Sequence, residues 1–215
     1  ISITSFELLT KIQAGLNFYK TDINSIKLIK LASVVPAVER LFEGLNQYIK
    51  TKIQILNNND IKLEKNVEIP SAVGIDRLLN VYCASTQTKS KNILVIDFGT
   101  ATTFDFGNSK SFEGGVICPG IKTMFQSLFS NTAQLPIIDF QKPEDVLGKN
   151  TKEAINSGIY FGYSHLVNGI VNDFKNKYNN IEIFITGGMC EILKDSFNFK
   201  YTINYNLTLE AILSI

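Results

Sequence analysis

The sequence predicts an α/β protein built from two halves of similar plan. From Ile93 onward, the hydrophobic pattern gives strand, strand, strand, helix, helix, strand, helix. From Phe6 to Ser85 it gives helix, strand, helix, strand, helix, as if the same unit lacked its three opening strands. We therefore divide the chain into residues 1–90 and 91–215. Because the first residue is Ile1 and not Met, we also expect this sequence to be the remainder of a longer protein.

The first half opens with a helix signal. Thr4-Ser5-Phe6-Glu7 matches a capping box, and apolar residues follow at helical spacing to about residue 18. Later, Pro36 is placed to open a second helix, because proline suits the first helical position. The other elements predicted here are a strand over 26–35, a strand over 52–56, a loop over 57–60 and a mostly apolar helix that follows Gly74.

The central feature of the second half is a hairpin over Asn92 to Phe106, NILVIDFGTATTFDF. A buried strand there ends in Asp97, and a carboxylate at such a place is costly unless it meets a cation or several donors. Gly99 permits close backbone approach by a ligand, and Thr100 adds a hydroxyl group. Such a tip is suited to nucleotide phosphates and their metals. An ordinary buried hairpin with a solvated Asp97 fits the same residues.

After the hairpin, residues 113–120 predict a third strand and 122–129 a helix, whereas 131–149 should be mostly irregular. A long helix opens near Asn150; His165 within it is more simply a packed or partly exposed residue than a catalytic one. The strand over 181–186 is followed by Gly187-Gly188 and a helix over 189–194, an arrangement compatible with phosphate binding but also with a plain turn. A last helix covers 207–213.

The segment Gly74-Ile75-Asp76-Arg77 stands at the start of the third helix. The helix dipole favours an ionised carboxylate at Asp76. Arg77 is one of only two arginines in a lysine-rich chain, and only a guanidinium binds a carboxylate as a planar fork. Taken alone, these residues are also compatible with an acidic helix start and a surface ion pair.

Composition excludes several classes of function. The net charge of +1 gives no reason to expect nucleic acid or a membrane surface as a partner, and no apolar run is long enough to span a bilayer. The three widely spaced cysteines fit neither a metal site nor a disulfide framework, so we expect a reducing, cytoplasmic compartment. With a single histidine, a His-based triad is not expected. No signal peptide is visible.

Six segments in order, GIDR, DFGTATT, GGVICPG, LGKNT, SGIYFGY and ITGG, resemble the type III pantothenate kinases. This family belongs to the superfamily of acetate and sugar kinases, heat-shock chaperone ATPases and actin. The resemblance, which runs from about Ser33 to the C-terminus, implies two ribonuclease H-like (actin-like ATPase) halves, each a mixed sheet flanked by helices, the first without its opening strands. It implies ATP-dependent phosphorylation of pantothenate to 4′-phosphopantothenate, the first step of coenzyme A biosynthesis. It also implies a homodimer with its active site near the subunit interface, Mg²⁺, and K⁺ or NH₄⁺.

Matched to the family's motifs, Asp76 falls on the proton acceptor and Asp97 on the ligand of the monovalent cation. Thr151 falls on a substrate contact that comes from the neighbouring subunit. The full set that the resemblance implies is Gly74, Ile75, Asp76, Arg77 and Thr151 for pantothenate, and Gly99, Thr100, Gly187 and Gly188 for the nucleotide.

Two departures from the family keep a second hypothesis open. The family opens with a strand carrying Asp-x-Gly-Asn-Thr, which holds phosphates and Mg²⁺, and nothing of that kind precedes Thr4. Val67 stands where the family often has tyrosine. We expect the natural protein to contain the opening segment. The alternatives are a non-catalytic regulatory or accessory relative of the same fold, and a kinase for another small hydroxylated acid.

Overall fold

A six-stranded mixed sheet organises the structure, a computed structural model that describes residues 3–130 and 139–215. Its central strand, β4, contains the apolar run Ile93–Ile96, which is completely buried. The strands lie in the order β3-β6-β5-β4-β7-β8. Their bounds are β3 Glu64–Lys65, β4 Asn92–Phe98, β5 Ala101–Gly107, β6 Ser111–Pro119, β7 Ile181–Thr186 and β8 Thr202–Ile203.

The strand directions confirm the predicted fold class. β4, β5 and β6 form an antiparallel meander, as the hairpin pattern predicts. On the other side of β4, the chain adds β7 and then β8 in parallel. Three antiparallel strands followed by parallel ones, with helices between, form the ribonuclease H-like arrangement. Helices cover the sheet: α3 Ile75–Gln87, α4 Ile121–Ser130, α5 Thr151–Lys177, α6 Cys190–Leu193 and α7 Leu207–Ser214.

Each face of the sheet packs against a different set of helices. Ile93 and Val95 of β4 join α3 and α7 in one apolar cluster. Leu94, Ile96 and Phe98 join α5 and α6 in another. This division follows from the pleat, because successive side chains of a strand point to opposite faces. We call the first side the α3 face and the second the α5 face.

The first half contributes a smaller sheet of its own. Helix α1, Ser5–Phe18, has the predicted capping box, with Thr4 and Glu7 bonded reciprocally. Strands β1, Leu28–Leu31, and β2, Lys52–Ile55, pair in parallel. Between them lies helix α2, Pro36–Glu43, which continues as a short 3₁₀ turn. Leu9, Ile23, Leu45 and Ile49 form the core of this part.

Several elements are shorter than the sequence pattern predicts. The strand expected over 26–35 covers only β1, and the helix expected over 189–194 is the single turn α6 followed by a 3₁₀ turn. β3 and β8 have two residues each, too few to produce an alternating pattern. Of the segment expected to be irregular, 131–138 lies outside the described residues, and 139–149 forms neither helix nor strand.

The division into halves at residue 90 stays a prediction. Two elements before that residue, β3 and α3, belong to the large sheet and its packing. Over 3–130 and 139–215, no helix combines the length and the apolar character needed to cross a bilayer.

Candidate active site

Asp97 is the first polar residue after the buried run of β4, and the pleat places it on the α3 face. Its neighbours across the sheet are Thr103 on β5 and Thr186 on β7. Directly opposite residues share a face, so Thr103 also lies on the α3 side, as does Asp105, which is two residues further along β5. The sheet therefore presents two carboxylates to helix α3.

Asp97 is held by a side chain of that helix. The amide Nδ2 of Asn80 donates to Oδ2 of Asp97 at 3.0 Å. Burial raises the pKa of Asp97; the bond from Asn80 opposes this rise, and the nearby charge of Asp76 adds to it. Among the described residues, the ion pairs do not include Asp97. A cation beside this carboxylate would offset the cost of its burial.

Gly187 closes over the same carboxylate. Its backbone has φ of +90°, and a Cβ at this position would lie 2.6 Å from Oδ1 of Asp97 and 2.5 Å from the backbone nitrogen of Phe98. Both conditions exclude any larger residue. Gly188, by contrast, is exposed with open space around it. The glycine pair thus stands at the edge where Asp97 lies, although the helix that follows is only one turn long.

Asp76 is in the first turn of α3, where Gly74 is the N-cap. Its Oδ1 accepts from the backbone N–H of Arg77 at 2.9 Å, and the residue is exposed. Asn80 follows four residues later, so Asp76 and Asn80 share one side of the helix. The charge of Asp76 raises the pKa of both Asp97 and Asp105. Helix α3 therefore brings Asp76 and Asp97 to one region of the α3 face.

Arg77 already has a carboxylate partner. Its Nε donates to Oδ1 of Asp105 at 2.5 Å, and Oδ2 of Asp105 accepts from the hydroxyl of Thr103 at 2.7 Å. The guanidinium carbon lies 5.3 Å from the ring centroid of Phe112. Nη2 of Arg77 is buried and has no hydrogen-bond partner within 3–130 and 139–215. The side chain as a whole is 16% exposed, and the unpartnered Nη2 is a donor that a carboxylate ligand could use.

Asp105 is fully buried, and its neighbours offset only part of the cost of burying its charge. Burial raises its pKa to about 6, although the charge of Arg77 and the bonds from Thr103 and Arg77 favour the ionised form. A buried carboxylate with one cation and one hydroxyl partner is not fully stabilised. The Asp105 carboxylate is therefore ready to take up a proton near neutral pH.

A cavity of about 560 Å³ opens beside Gly74 and Ile75. This volume is in the range typical of small-molecule sites. Its wall includes polar side chains of the loop after β2, namely Asn57, Asn58 and Asn59, together with Ser33, Glu39 and Lys65. The side chain of Ile75 itself is buried in the core, so this residue can meet a ligand only through its backbone.

The β4–β5 tip is fixed by backbone contacts. The carbonyl oxygen of Thr100 accepts from the backbone of Gly120 and from the hydroxyl of Thr123, at 2.9 and 2.8 Å. A Cβ at Gly120 would lie 2.3 Å from the carbonyl oxygen of Gly99. The side chain of Thr100 is exposed. Gly99 and Thr100 therefore stand at the same end of β4 as Asp97.

Thr151 is well separated from this group. It is the first residue of α5, exposed, with Asn150 as the N-cap. Further along α5, the hydroxyl of Tyr163 bonds the hydroxyl of Thr102 at 2.5 Å, which fixes that turn of the helix against β5. Twelve residues at 1.5 Å each place Thr151 about 18 Å from Tyr163 along the helix axis. The structure does not bring Thr151 together with Asp76.

Three residues at this site were not anticipated by the sequence analysis. Asn80 bonds both Asp97 and Thr208, and Asp105 holds Arg77. Signals for two of them exist: Asn80 is a polar residue in an apolar helix four positions after Asp76, and Asp105 lies between two buried phenylalanines. Thr208 gives no such signal.

The donor set suits cations that use few protein ligands. Within the described ranges, no three His, Cys, Asp or Glu side chains group in a way that could hold a metal. Mg²⁺ commonly uses one or two carboxylates together with substrate phosphates and water. The pair Asp76 and Asp97 is compatible with that mode of binding.

A family model for the type III pantothenate kinases matches residues 4–173. The chain belongs to this family. Curated type III pantothenate kinases resemble it over most of their length. The protein of Sulfurihydrogenibium sp. is 39% identical over 201 residues, covering 92% of this chain and 79% of the relative. That of Thermus thermophilus is 35% identical, covering 92% and 80%. The predictions of family and of kinase function are confirmed.

Solved structures show the same fold. A conserved Campylobacter jejuni protein assigned to the Baf family of transcriptional activators superposes with a TM-score of 0.60 at 19% identity, covering 94% of this chain and 85% of the other. The ethanolamine utilization protein EutJ of Carboxydothermus hydrogenoformans gives 0.50 at 9% identity, covering 97% and 72%. At these identities the likeness concerns the fold alone.

We expect Asp105→Asn to alter how the stability of this kinase depends on pH. Between pH 3.8, the usual pKa, and about 6, the folded chain keeps a proton on Asp105 that the unfolded chain has lost, so the wild type loses stability as pH rises. About two pKa units correspond to roughly 3 kcal/mol. The asparagine variant lacks this loss.

Urea unfolding at several pH values measures the effect. The advantage in unfolding free energy of wild type over Asp105→Asn should shrink by up to about 3 kcal/mol between about pH 4 and 7. Asp173→Asn, at an exposed position on α5, is the control and should show no such trend. A difference that stays constant with pH would refute the assignment of this titration to Asp105.

Proposed function

We propose that this chain phosphorylates the primary hydroxyl of pantothenate with ATP, using Asp76 as general base and Asp97 as cation ligand. The product is 4′-phosphopantothenate, which starts coenzyme A biosynthesis. Membership of the type III pantothenate kinase family supports the reaction. One observation carries the assignment of roles: helix α3 presents Asp76 and, through Asn80, Asp97 to the same region.

Asp76 accepts the proton of the pantothenate hydroxyl as that oxygen attacks the γ-phosphorus of ATP and ADP departs. Phosphoryl transfer depends on positioning and on charge stabilisation, so a base must be accessible and fixed. Asp76 is exposed, and the backbone N–H of Arg77 fixes its carboxylate. Its place at a helix N-terminus favours the ionised form that accepts a proton.

Asp97 holds the monovalent cation, K⁺ or NH₄⁺. Its carboxylate is partly buried, has one amide donor and lacks an ion-pair partner among the described residues. Mg²⁺, when bound with ATP, would neutralise charge on the phosphates. Asp76 and Asp97 are the acidic side chains that could contribute ligands to it. ATP binds against two backbone segments. These are the hairpin tip at Gly99 and Thr100, and the glycine pair Gly187 and Gly188.

Pantothenate lies on the side of Gly74, Ile75 and Arg77. The cavity beside Gly74 and Ile75 supports this placement, with Ile75 contributing its backbone. The Arg77 guanidinium, whose Nη2 has no hydrogen-bond partner within the described residues, binds the carboxylate of pantothenate, while Asp105 keeps Nε. Charge-assisted bonds from arginine to a carboxylate are among the stronger hydrogen bonds in proteins.

Thr151 completes the pantothenate site from a second subunit of a homodimer. About 18 Å of helix separate it from the turn of α5 that is fixed against β5, and Asp76 lies in α3 on the opposite face of the sheet. Cys83, Cys118 and Cys190 are all free thiols, which supports a reducing, cytoplasmic location.

The role of Asp76 is tested by Asp76→Asn. We expect the rate of ADP release at saturating ATP and pantothenate to fall by about 10²- to 10⁴-fold, because the general base is lost. Pantothenate binding, measured by calorimetry, should change little. Asp22→Asn is a matched control, since Asp22 also accepts a backbone N–H near a helix start. Full turnover by Asp76→Asn would remove Asp76 as the base.

The role of Asp97 is tested by exchanging the cation. Wild type should be activated by K⁺ or NH₄⁺ far more than by Na⁺, because ligand number and cavity size discriminate between cations. Asp97→Asn should lose this activation, and the exposed control Asp173→Asn should keep it. The readout is initial rate against cation concentration at constant ionic strength. Equal wild-type rates in K⁺ and Na⁺ would count against the assignment.

The contribution of Thr151 in trans is tested by complementation. Thr151→Val should weaken pantothenate binding by about tenfold or more, as expected for a lost hydrogen bond to a ligand. In a two-fold symmetric dimer, a mixed dimer of Thr151→Val and Asp76→Asn contains one intact site. Random mixing makes about half of the dimers mixed, so about a quarter of wild-type activity should return at low pantothenate. Mixtures no more active than the average of their parents would contradict a shared site.

A further inference from the structure

Asn80 is a buried polar residue that connects the C-terminal helix to the proposed cation ligand. It is 1% exposed, in helix α3, among residues of the α3-face cluster. Helix α7 packs against α3 and carries Thr208 in its first turn. A buried amide must find partners for both its oxygen and its nitrogen, because an unmade bond there is costly.

Both ends of the Asn80 amide are bonded. Its Nδ2 donates to Oδ2 of Asp97 at 3.0 Å, and its Oδ1 accepts from the hydroxyl of Thr208 at 2.6 Å. The direction of this chain follows from chemistry. An ionised carboxylate only accepts hydrogen bonds, so the nitrogen of Asn80 must face Asp97 and the hydroxyl of Thr208 must donate to the oxygen.

Thr208 therefore acts on Asp97 indirectly, through Asn80. Without its hydroxyl, Oδ1 of Asn80 would be buried without that donor, and the amide would gain from turning toward another partner. Turning would take Nδ2 away from Asp97 or bring an amide oxygen against its carboxylate. The donor that fixes Oδ2 of Asp97 would then be lost, and Oδ1 would no longer be held ready for a ligand.

We propose that Thr208 and Asn80 are positioning residues that hold the Asp97 carboxylate in the orientation required to bind a monovalent cation. The inference rests on the proposed function, in which Asp97 is the cation ligand. It gives the C-terminal helix an indirect part in cation binding, through Asn80, although no residue of α7 lies on the substrate path proposed above.

The decisive variant is Thr208→Val, which keeps the shape of the side chain and removes the donor. The half-activating K⁺ concentration should rise by about three- to tenfold, the loss expected for one hydrogen bond. The rate at saturating K⁺ should stay close to wild type. Thr208→Ser, which restores the hydroxyl, should return the half-activating concentration toward the wild-type value.

A second readout does not depend on turnover. A ligand that binds only the folded state raises the melting temperature, and at a given concentration a tighter ligand raises it more. The rise in melting temperature produced by K⁺ relative to Na⁺ should therefore be smaller in Thr208→Val than in wild type or Thr208→Ser. Leu209→Ala, an adjacent and exposed change on the same helix, is the control and should leave the K⁺ response unchanged.

The outcomes separate this inference from the proposed function. If Asp97→Asn keeps the full K⁺ response, the proposed cation site is wrong. If Asp97→Asn loses that response and Thr208→Val keeps the wild-type half-activating concentration, the positioning role is overturned. Should Thr208→Val not fold, Thr208→Ala takes its place; an unchanged K⁺ response in that variant would equally overturn the role.

Discussion

The pleat of β4 determines which face of the central sheet receives the carboxylate of Asp97. Asp97 follows four buried apolar residues, and its position in the alternation turns it toward the α3 face. A slip of one residue would turn it into the α5 face, where Phe98 stacks on Phe197 in an apolar cluster. The register of one strand thus selects which helix meets the carboxylate.

On the α3 face, negative charge exceeds positive charge. Asp76, Asp97 and Asp105 interact electrostatically, and Arg77 is paired with Asp105. Two carboxylates are left without a protein cation in the described part of the chain, and a triphosphate and a carboxylic acid would add further negative charge. Repulsion between charges a few ångströms apart is substantial at the effective dielectric of a protein surface. A reaction of these substrates here requires bound cations, which is the physical basis for assigning one to Asp97.

Most of the framework could be predicted from the sequence, because it depends on local patterns. Three features have a local signal in the sequence, and each lies where it was expected. They are the capping box at Thr4, the apolar run of β4 and the glycine pair that follows β7. Asp76 and Asp97 are recognisable for the same reason. The partners of these groups are not. The bond between Thr208 and Asn80 joins residues far apart in sequence, and the pairing of Arg77 with Asp105 depends on how α3 crosses β5. Packing, not periodicity, determines such contacts.

Close backbone contacts at this edge of the sheet explain why the proposed mechanism relies on aspartate side chains. At Gly120 a Cβ would press on the carbonyl oxygen of Gly99, and at Gly187 it would press on Asp97 and on the backbone of Phe98. The strand ends and loops are therefore drawn together until little room is left for side chains. At these two glycines a ligand can closely approach backbone N–H and C=O groups, which orient a substrate but carry no full charge. In the proposed mechanism, proton removal and cation binding then depend on Asp76 and Asp97; helix α3 carries the first and bonds the second through Asn80.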